Sequence, residues 1–149
     1  MIDKVFIDTN VLVYAYDRSE MKKLQQAITI LERLDATGMG VISTQVLTEF
    51  FVTVSYKLRQ PLSTEQAYQR VQNYIQAWQV IDMTALIVLE AARGVLTYKF
   101  SMWDAQIWAA AKLNQIELVF SEDFNSGAMI EGVRFINPFA PDFRLEEWL

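Results

Sequence analysis

Three apolar residues, Val5-Phe6-Ile7, stop on a carboxylate, Asp8, and Thr9-Asn10 lead directly into a second apolar run, Val11 to Tyr16. β-Branched and aromatic residues in so short a run predict a buried strand, and Thr9 and Asn10 are turn or cap residues that open a helix. A strand that ends on an acid and feeds straight into a helix leaves few architectures open. In an open α/β sheet, ligands bind outside the carboxyl ends of the strands. The free N–H groups of a following helix favour negative charge at the same place. Asp8 is therefore placed either to cap its own helix or to hold a cation.

The alternation repeats along the chain. Leu24, Ala27, Ile28, Leu31 and Leu34 recur at helical spacing between Ser19 and Ala36, and Gly38 and Gly40 end that helix. Val41-Ile42 read as a second strand. Ser43 or Thr44 caps a helix to Leu58, with Val46, Leu47, Phe50, Phe51 and Val54 on one face. Ser63 to Gln66 spells a capping box, and the helix behind it carries Tyr68, Val71, Tyr74, Ile75 and Trp78, a stripe read as packing and not as a base-stacking surface. Val80-Ile81 is a third strand. The run Thr84 to Tyr98 is apolar nearly all round, which predicts burial in a core or an oligomer interface. A helix over 101–114, a fourth strand Leu118-Val119-Phe120, turns at Gly127 and Gly132, and a fifth strand Val133 to Ile136 complete the pattern. The expected fold is α/β, a three-layer α/β/α arrangement with a short-stranded parallel sheet of four to five strands. One domain is expected over 1–149, with a tail from about 139 to 149 draped on the surface.

Composition narrows the chemistry. The chain has neither histidine nor cysteine. That removes imidazole bases, Ser-His and Cys-His nucleophile systems, and thiolate metal sites. Carboxylates with a hard divalent cation are the main hydrolytic means left. A net charge of −5 argues against a protein that coats nucleic acid. It argues less against a nuclease, whose acidic pocket a cation neutralises. No window approaches the ~20 apolar residues of a membrane span, and the N-terminus lacks the pattern of a secretory leader. A cytoplasmic protein without membrane association is expected.

Four acids belong to the same edge of such a sheet. Asp8 and Asp123 follow strands, Glu49 lies in the second turn of the helix after strand two, and Asp104 lies in the first turn of its helix. Each has an ordinary reading alone: a cap for Asp8, a solvated side chain for Glu49, a capping-box partner of Ser101 for Asp104. Asp104, however, shares a helix face with Ile107, Trp108 and Ala111, and a carboxylate there is costly unless paired or coordinated. Together the four would repel one another unless a divalent ion relieved the repulsion. Oxygen-only ligands select Mg²⁺ or Mn²⁺.

These residues resemble a known family. Phe6-Ile7-Asp8-Thr9-Asn10-Val11-Leu12, Glu49 after a short strand, Trp103-Asp104-Ala105 opening an alanine-rich helix, and Ser121-Glu122-Asp123-Phe124 are similar to the PIN domain. The closing run through Gly127, Gly132 and Asn137-Pro138-Phe139 is similar to VapC-type toxins. The resemblance implies a metal-dependent endoribonuclease, the toxin of a toxin–antitoxin pair, with RNA as substrate, Mg²⁺ or Mn²⁺ as cofactor, and a cognate antitoxin and a second copy of itself as partners. By position, Asp8, Glu49 and Asp104 match the family's first three acids and Asp123 the fourth, with Glu122 as the adjacent alternative. Thr9, Asn10 and Ser121 match the polar residues beside them. Arg18, Lys22, Lys23, Lys57, Arg59, Arg93 and Lys99 are candidate backbone contacts. The rival readings are a structure-specific DNA nuclease of the same chemistry and a non-catalytic PIN-like module that binds RNA or protein. A receiver domain would want a Lys after the fifth strand, and none follows Ile136. A haloacid-dehalogenase-type phosphatase would want an Asp where Asn10 stands.

Overall fold

The central strand, β1 (Val5–Ile7), is fully buried. β2 (Gly40–Ser43) and β4 (Leu118–Phe120) flank it in parallel. β3 (Gln79–Ile81) pairs parallel outside β2, and β6 (Val133–Ile136) parallel outside β4. The two-residue β5 (Met129–Ile130) closes that edge antiparallel to β6. The sheet order is β3-β2-β1-β4-β6-β5 in this computed structural model, which describes residues 2–149. The α/β class and the parallel centre are as the sequence leads one to expect. The sheet has six strands where four to five were expected. The extra one is β5, too short to carry any periodicity, and it exists because Glu131 and Gly132, both at positive φ, reverse the chain in a tight hairpin.

Helices fill the crossovers. α1 (Thr9–Tyr14) and α2 (Met21–Thr37) join β1 to β2. α3 (Thr44–Val52), a π-helical turn over Thr53–Lys57, and α4 (Thr64–Ala77) join β2 to β3. α5 (Ala85–Tyr98) and α6 (Met102–Leu113) carry the chain back past β2 and β1 to β4. Right-handed crossovers in opposite directions put α2 to α4 on one face and α5 and α6 on the other. The packing agrees: α1 meets α2 and α3, whereas α5 and α6 meet each other. Caps fall where side-chain chemistry predicts. Gly38 takes the left-handed conformation that ends α2, Ser43 caps α3, and Ser63 with Gln66 closes a reciprocal box on α4. Gly40 belongs to β2 and does not end α2.

Two apolar stripes are only half inside. On α5, Ile87, Ala91 and Gly94 face the core, but Leu86, Leu89 and Leu96 point outward, Leu96 at 76% exposure. On α4, Tyr74 and Trp78 continue an edge-to-face chain from Phe50, while Tyr68 and Ile75 are exposed. The tail is anchored from within: Leu145 is buried and Phe143 meets Phe120 edge-on. Among the described residues no helix is long and apolar enough to cross a membrane.

A tight contact lies between α5 and α6. A Cβ on Gly94 would stand 2.7 Å from a ring carbon of Trp108, which is fully buried and donates its indole N–H to the Ile130 carbonyl at 3.2 Å. Gly94→Ala gains about 1 kcal/mol of helix propensity. It still has to displace a locked ring, so a net loss of roughly 1–2 kcal/mol is expected. Urea unfolding measures it, and an unchanged or higher midpoint would contradict the packing account.

Candidate active site

The strand order turns back on itself between β1 and β4, and there the carboxyl ends of two adjacent strands open a crevice. Pairing continues past the strands' formal ends: the Asp8 N–H donates to the Phe120 carbonyl and the Ser121 N–H to the Ile136 carbonyl, each at 3.0 Å. Asp8 and Ser121 are thereby brought side by side. The Asp8 carboxylate is 5% exposed. Its Oδ1 accepts the Thr9 N–H at 2.7 Å, capping α1, and its Oδ2 accepts the Ser121 hydroxyl at 2.7 Å. Neither donor carries charge. Burial pushes the Asp8 pKa up to about 7, against the pull of the Ser121 and Thr9 hydrogen bonds, and the charges of Asp123 and Asp104 push the same way.

The other acids arrive from three directions. Glu49, half-buried on α3, accepts the Thr9 hydroxyl on Oε2 at 2.9 Å and the Gln45 amide on Oε1 at 3.1 Å. Asp104 enters from the first turn of α6. Its N–H donates to the Ser101 hydroxyl at 3.1 Å, but the return bond of a capping box does not form. Burial raises the pKa of its carboxylate, with Asp123 and then Glu49 adding to the rise, and the Ser101 hydroxyl is the one neighbour that lowers it. Asp123 follows β4; its Oδ2 accepts the Asn10 amide at 3.1 Å, and its N–H donates to Ser121 Oγ at 3.1 Å.

Asp123 and Glu122 part company here. The Glu122 side chain accepts the Tyr14 hydroxyl and the Lys23 ammonium, both at 2.6 Å, on the side of α1 and α2. That pairing holds Lys23 protonated far beyond its usual range. Asn10 fixes the divergence: its Oδ1 accepts the Glu122 N–H at 3.3 Å while its amide holds Asp123. Asp123, and not Glu122, is the acid that Asp8 and Asp104 feel.

Among the described residues no three acids stand close enough to hold one ion by direct contact. Yet Asp8, Asp104, Asp123 and Glu49 are linked by mutual repulsion around one opening, and none of them is in an ion pair. An all-oxygen set with no ion-pair partner among the described residues suits a small, hard, hydrated cation in donor chemistry. Mg²⁺ keeps several of its waters and takes one or two carboxylates directly.

A groove of about 760 Å³ runs from this opening between α3 and the start of α6. Thr9 and Glu49 stand at the acid end, and Gln45, Thr48, Lys57 and Trp103 line the rest. Of the cations singled out in the sequence, Lys23 is bound to Glu122 and Arg93 to Glu90 and Glu131. Lys57 lines the groove. Gln45 and Trp103 escaped sequence reasoning as site residues. The available signals were slight: Gln45 is one turn before Glu49 on the same helix face, and Trp103 is the neighbour of Asp104.

The PIN domain family model matches residues 5–126. No curated protein sequence matches the chain. Among solved structures, a toxin–antitoxin complex from Klebsiella pneumoniae aligns at 20% identity over 91% of this chain and 98% of that one, with a TM-score of 0.65. A VapC toxin from Mycobacterium tuberculosis, described as cleaving the sarcin–ricin loop, aligns at 18% identity over 86% and 98%, TM-score 0.63. A VapBC complex from Rickettsia felis bound to a promoter DNA fragment aligns at 21% identity over 91% and 97%, TM-score 0.61. At such identities these likenesses speak to fold alone. The family match spans β1 to the loop after β4 and takes in all four converging acids, and the chain belongs to the PIN-domain family.

Proposed function

We propose that this protein is a divalent-metal-dependent endoribonuclease and the toxin of a toxin–antitoxin pair. The observation that carries the nuclease reading is the convergence of Asp8, Glu49, Asp104 and Asp123 on one opening with no cation of the chain to neutralise them. The toxin reading is supported by the neighbours in fold, which are described as toxin–antitoxin complexes and VapC toxins.

Asp8 and Asp104 would hold the Mg²⁺ or Mn²⁺, with Glu49 and Asp123 completing the acidic ring. Such an ion, when bound, supplies the positive charge that acidifies water and stabilises a phosphate under attack. The chain's own groups divide the remaining work. Ser121 and the Thr9 N–H fix the Asp8 carboxylate, and the Thr9 hydroxyl and Gln45 occupy one oxygen each of Glu49. Asp123 Oδ1, with no protein donor of its own, is the acceptor for the proton of the attacking water. Water attack at phosphorus breaks the P–O3′ bond, and the leaving oxygen gains a proton, so the products carry a 5′-phosphate and a 3′-OH.

Two partners complete the reading. The outward stripe of Leu86, Leu89 and Leu96 on α5 is an apolar face that a second copy would cover. A segment of a cognate antitoxin would lie along the active-site groove.

Asp104→Asn should abolish Mn²⁺-dependent cleavage of RNA with the fold intact by circular dichroism. Asp123→Asn should slow cleavage by roughly a hundredfold or more, whereas Glu122→Gln should cut within a few-fold of wild type. Cleavage of flapped DNA with RNA left whole would make the protein a DNA nuclease, and binding of RNA without a cut would make it a recognition module.

A second expectation comes from Asp8 in metal-free solution. Its folded pKa of about 7 lies above the unfolded value of 3.8. The folded state therefore holds the extra proton between those values, and stability falls as pH rises across that window. Asp8→Asn removes the effect. In EDTA at pH 8 it should be more stable than wild type by about 2–4 kcal/mol, the gap closing near pH 4. Added Mn²⁺ should stabilise wild type far more than the variant. Denaturant titrations at the two pH values decide.

Leu89→Glu combined with Leu96→Glu should turn a dimer into a monomer by sedimentation without lowering the thermal midpoint. A wild-type protein that sediments as a monomer at high concentration would remove the dimer.

A further inference from the structure

We infer that the groove between α3 and α6 is a nucleotide subsite, in which an unpaired base stacks on Trp103 and the adjoining phosphate meets Lys57. The inference rests on the nuclease reading and says how that site would choose its RNA. The groove's volume of about 760 Å³ is within the range of small-ligand sites. One end of it is Glu49 and Thr9, so a nucleotide lodged there is the one beside the scissile phosphate.

Trp103 directly precedes Asp104 and is 65% exposed, whereas Trp78 and Trp108 are buried and Trp148 is half-buried. An indole left in solvent on the first turn of a helix adds little to the core. Stood at the rim of a groove next to the acids, it is a platform, and base–aromatic stacking accepts any base. A base inside a duplex has no free face to offer, so the platform selects looped or single-stranded RNA.

Gln45 ties the platform to the acids. Its amide nitrogen donates to Glu49 Oε1 at 3.1 Å and to the Trp103 carbonyl at 3.3 Å, so both of its N–H groups are used. Its Oε1 is the one buried side-chain polar atom without a partner among the described residues. The residue lines the groove, and its two bonds hold the carbonyl of the platform residue and the Glu49 carboxylate in fixed relation.

Lys57 is aimed by the π turn. On an uninterrupted α-helix, at about 100° per residue, Tyr56 would fall roughly 20° from Gln45 and Lys57 roughly 120° away. The wider turn, closed by the Leu58 N–H on the Thr53 carbonyl at 3.2 Å, advances each residue by less. Lys57 then lines the groove and Tyr56 points to solvent. Lys57 has no ion-pair partner among the described residues. A cation at one end and carboxylates that want a metal at the other match successive phosphates of a nucleic-acid strand better than they match an apolar peptide.

The test uses the Mn²⁺-loaded protein and a short single-stranded oligoribonucleotide. Trp103→Ala should raise KM about tenfold with kcat within about threefold, while Trp103→Phe, which keeps an aromatic face, should stay within about threefold on both. Lys57→Gln should raise KM and lower the slope of log KM against log salt by about 0.7, the share of one phosphate contact on a single strand. In the Asp104→Asn protein, the same oligonucleotide should shield tryptophan fluorescence from iodide, and its duplex should not. An unchanged KM in Trp103→Ala, or free iodide access with the single strand bound, overturns the subsite. Absence of cleavage by wild type with the iodide shielding still present would defeat the nuclease reading and leave the subsite standing.

Discussion

A carboxylate held almost out of water at the meeting point of two parallel strands is the constraint on which this molecule depends. Asp8 is where it is because β1 and β4 pair in register up to Ile7 and Phe120, and one more backbone bond carries that register into the crevice. Two neutral donors hold the side chain and nothing cancels its charge. Burial without compensation opposes folding. The sheet around it, with β1, β2 and β4 wholly inside, supplies the stability that permits it. Local disagreement between a residue and its surroundings is expected where a site has been built.

Keeping four like charges around one opening requires that each be prevented from swinging away. The chain does this with short polar side chains next to the acids and not with cations. Thr9 serves two acids at once, its N–H on Asp8 and its hydroxyl on Glu49. Ser121 does likewise, donating to Asp8 and accepting from the Asp123 backbone. Asn10 uses both ends of its amide to set the loop after β4. Lys23 is drawn off by Glu122 onto α1 and α2. Glu122 thus contributes by removing a positive charge from the approach and by pinning the loop that carries Asp123.

Much of this could be read in the residues, and the exceptions share a cause. Asp8, Glu49, Asp104 and Asp123 stood out because each sits where one periodic segment ends and another begins, and such junctions are what strand-to-helix alternation makes visible. The capping box of Ser63 and Gln66 was equally legible, being local. The different surroundings of Glu122 and Asp123 were not, since Tyr14 and Lys23 reach Glu122 from about a hundred residues away. Ser101 and Asp104 spell the same box as Ser63 and Gln66, yet only the Ser101 half of it forms. β5 exists through a hairpin turn, and the outward stripe of α5 follows from which side α6 covers. Both are facts of tertiary packing that a pattern of apolar residues cannot carry.

The acidity of the chain then has a consequence for how it would hold RNA. The net charge is −5, and of the 13 lysines and arginines Lys23, Arg93 and Lys112 pair with neighbouring glutamates. Counterion release, the usual source of affinity for nucleic acid, scales with the number of such contacts. The groove itself is lined by an exposed indole, one lysine and one carboxylate, Glu49. On the proposed subsite, affinity for RNA would depend more on an unpaired base being presented than on the number of phosphate contacts. On that reading, discrimination would rest on the shape of the RNA more than on its charge.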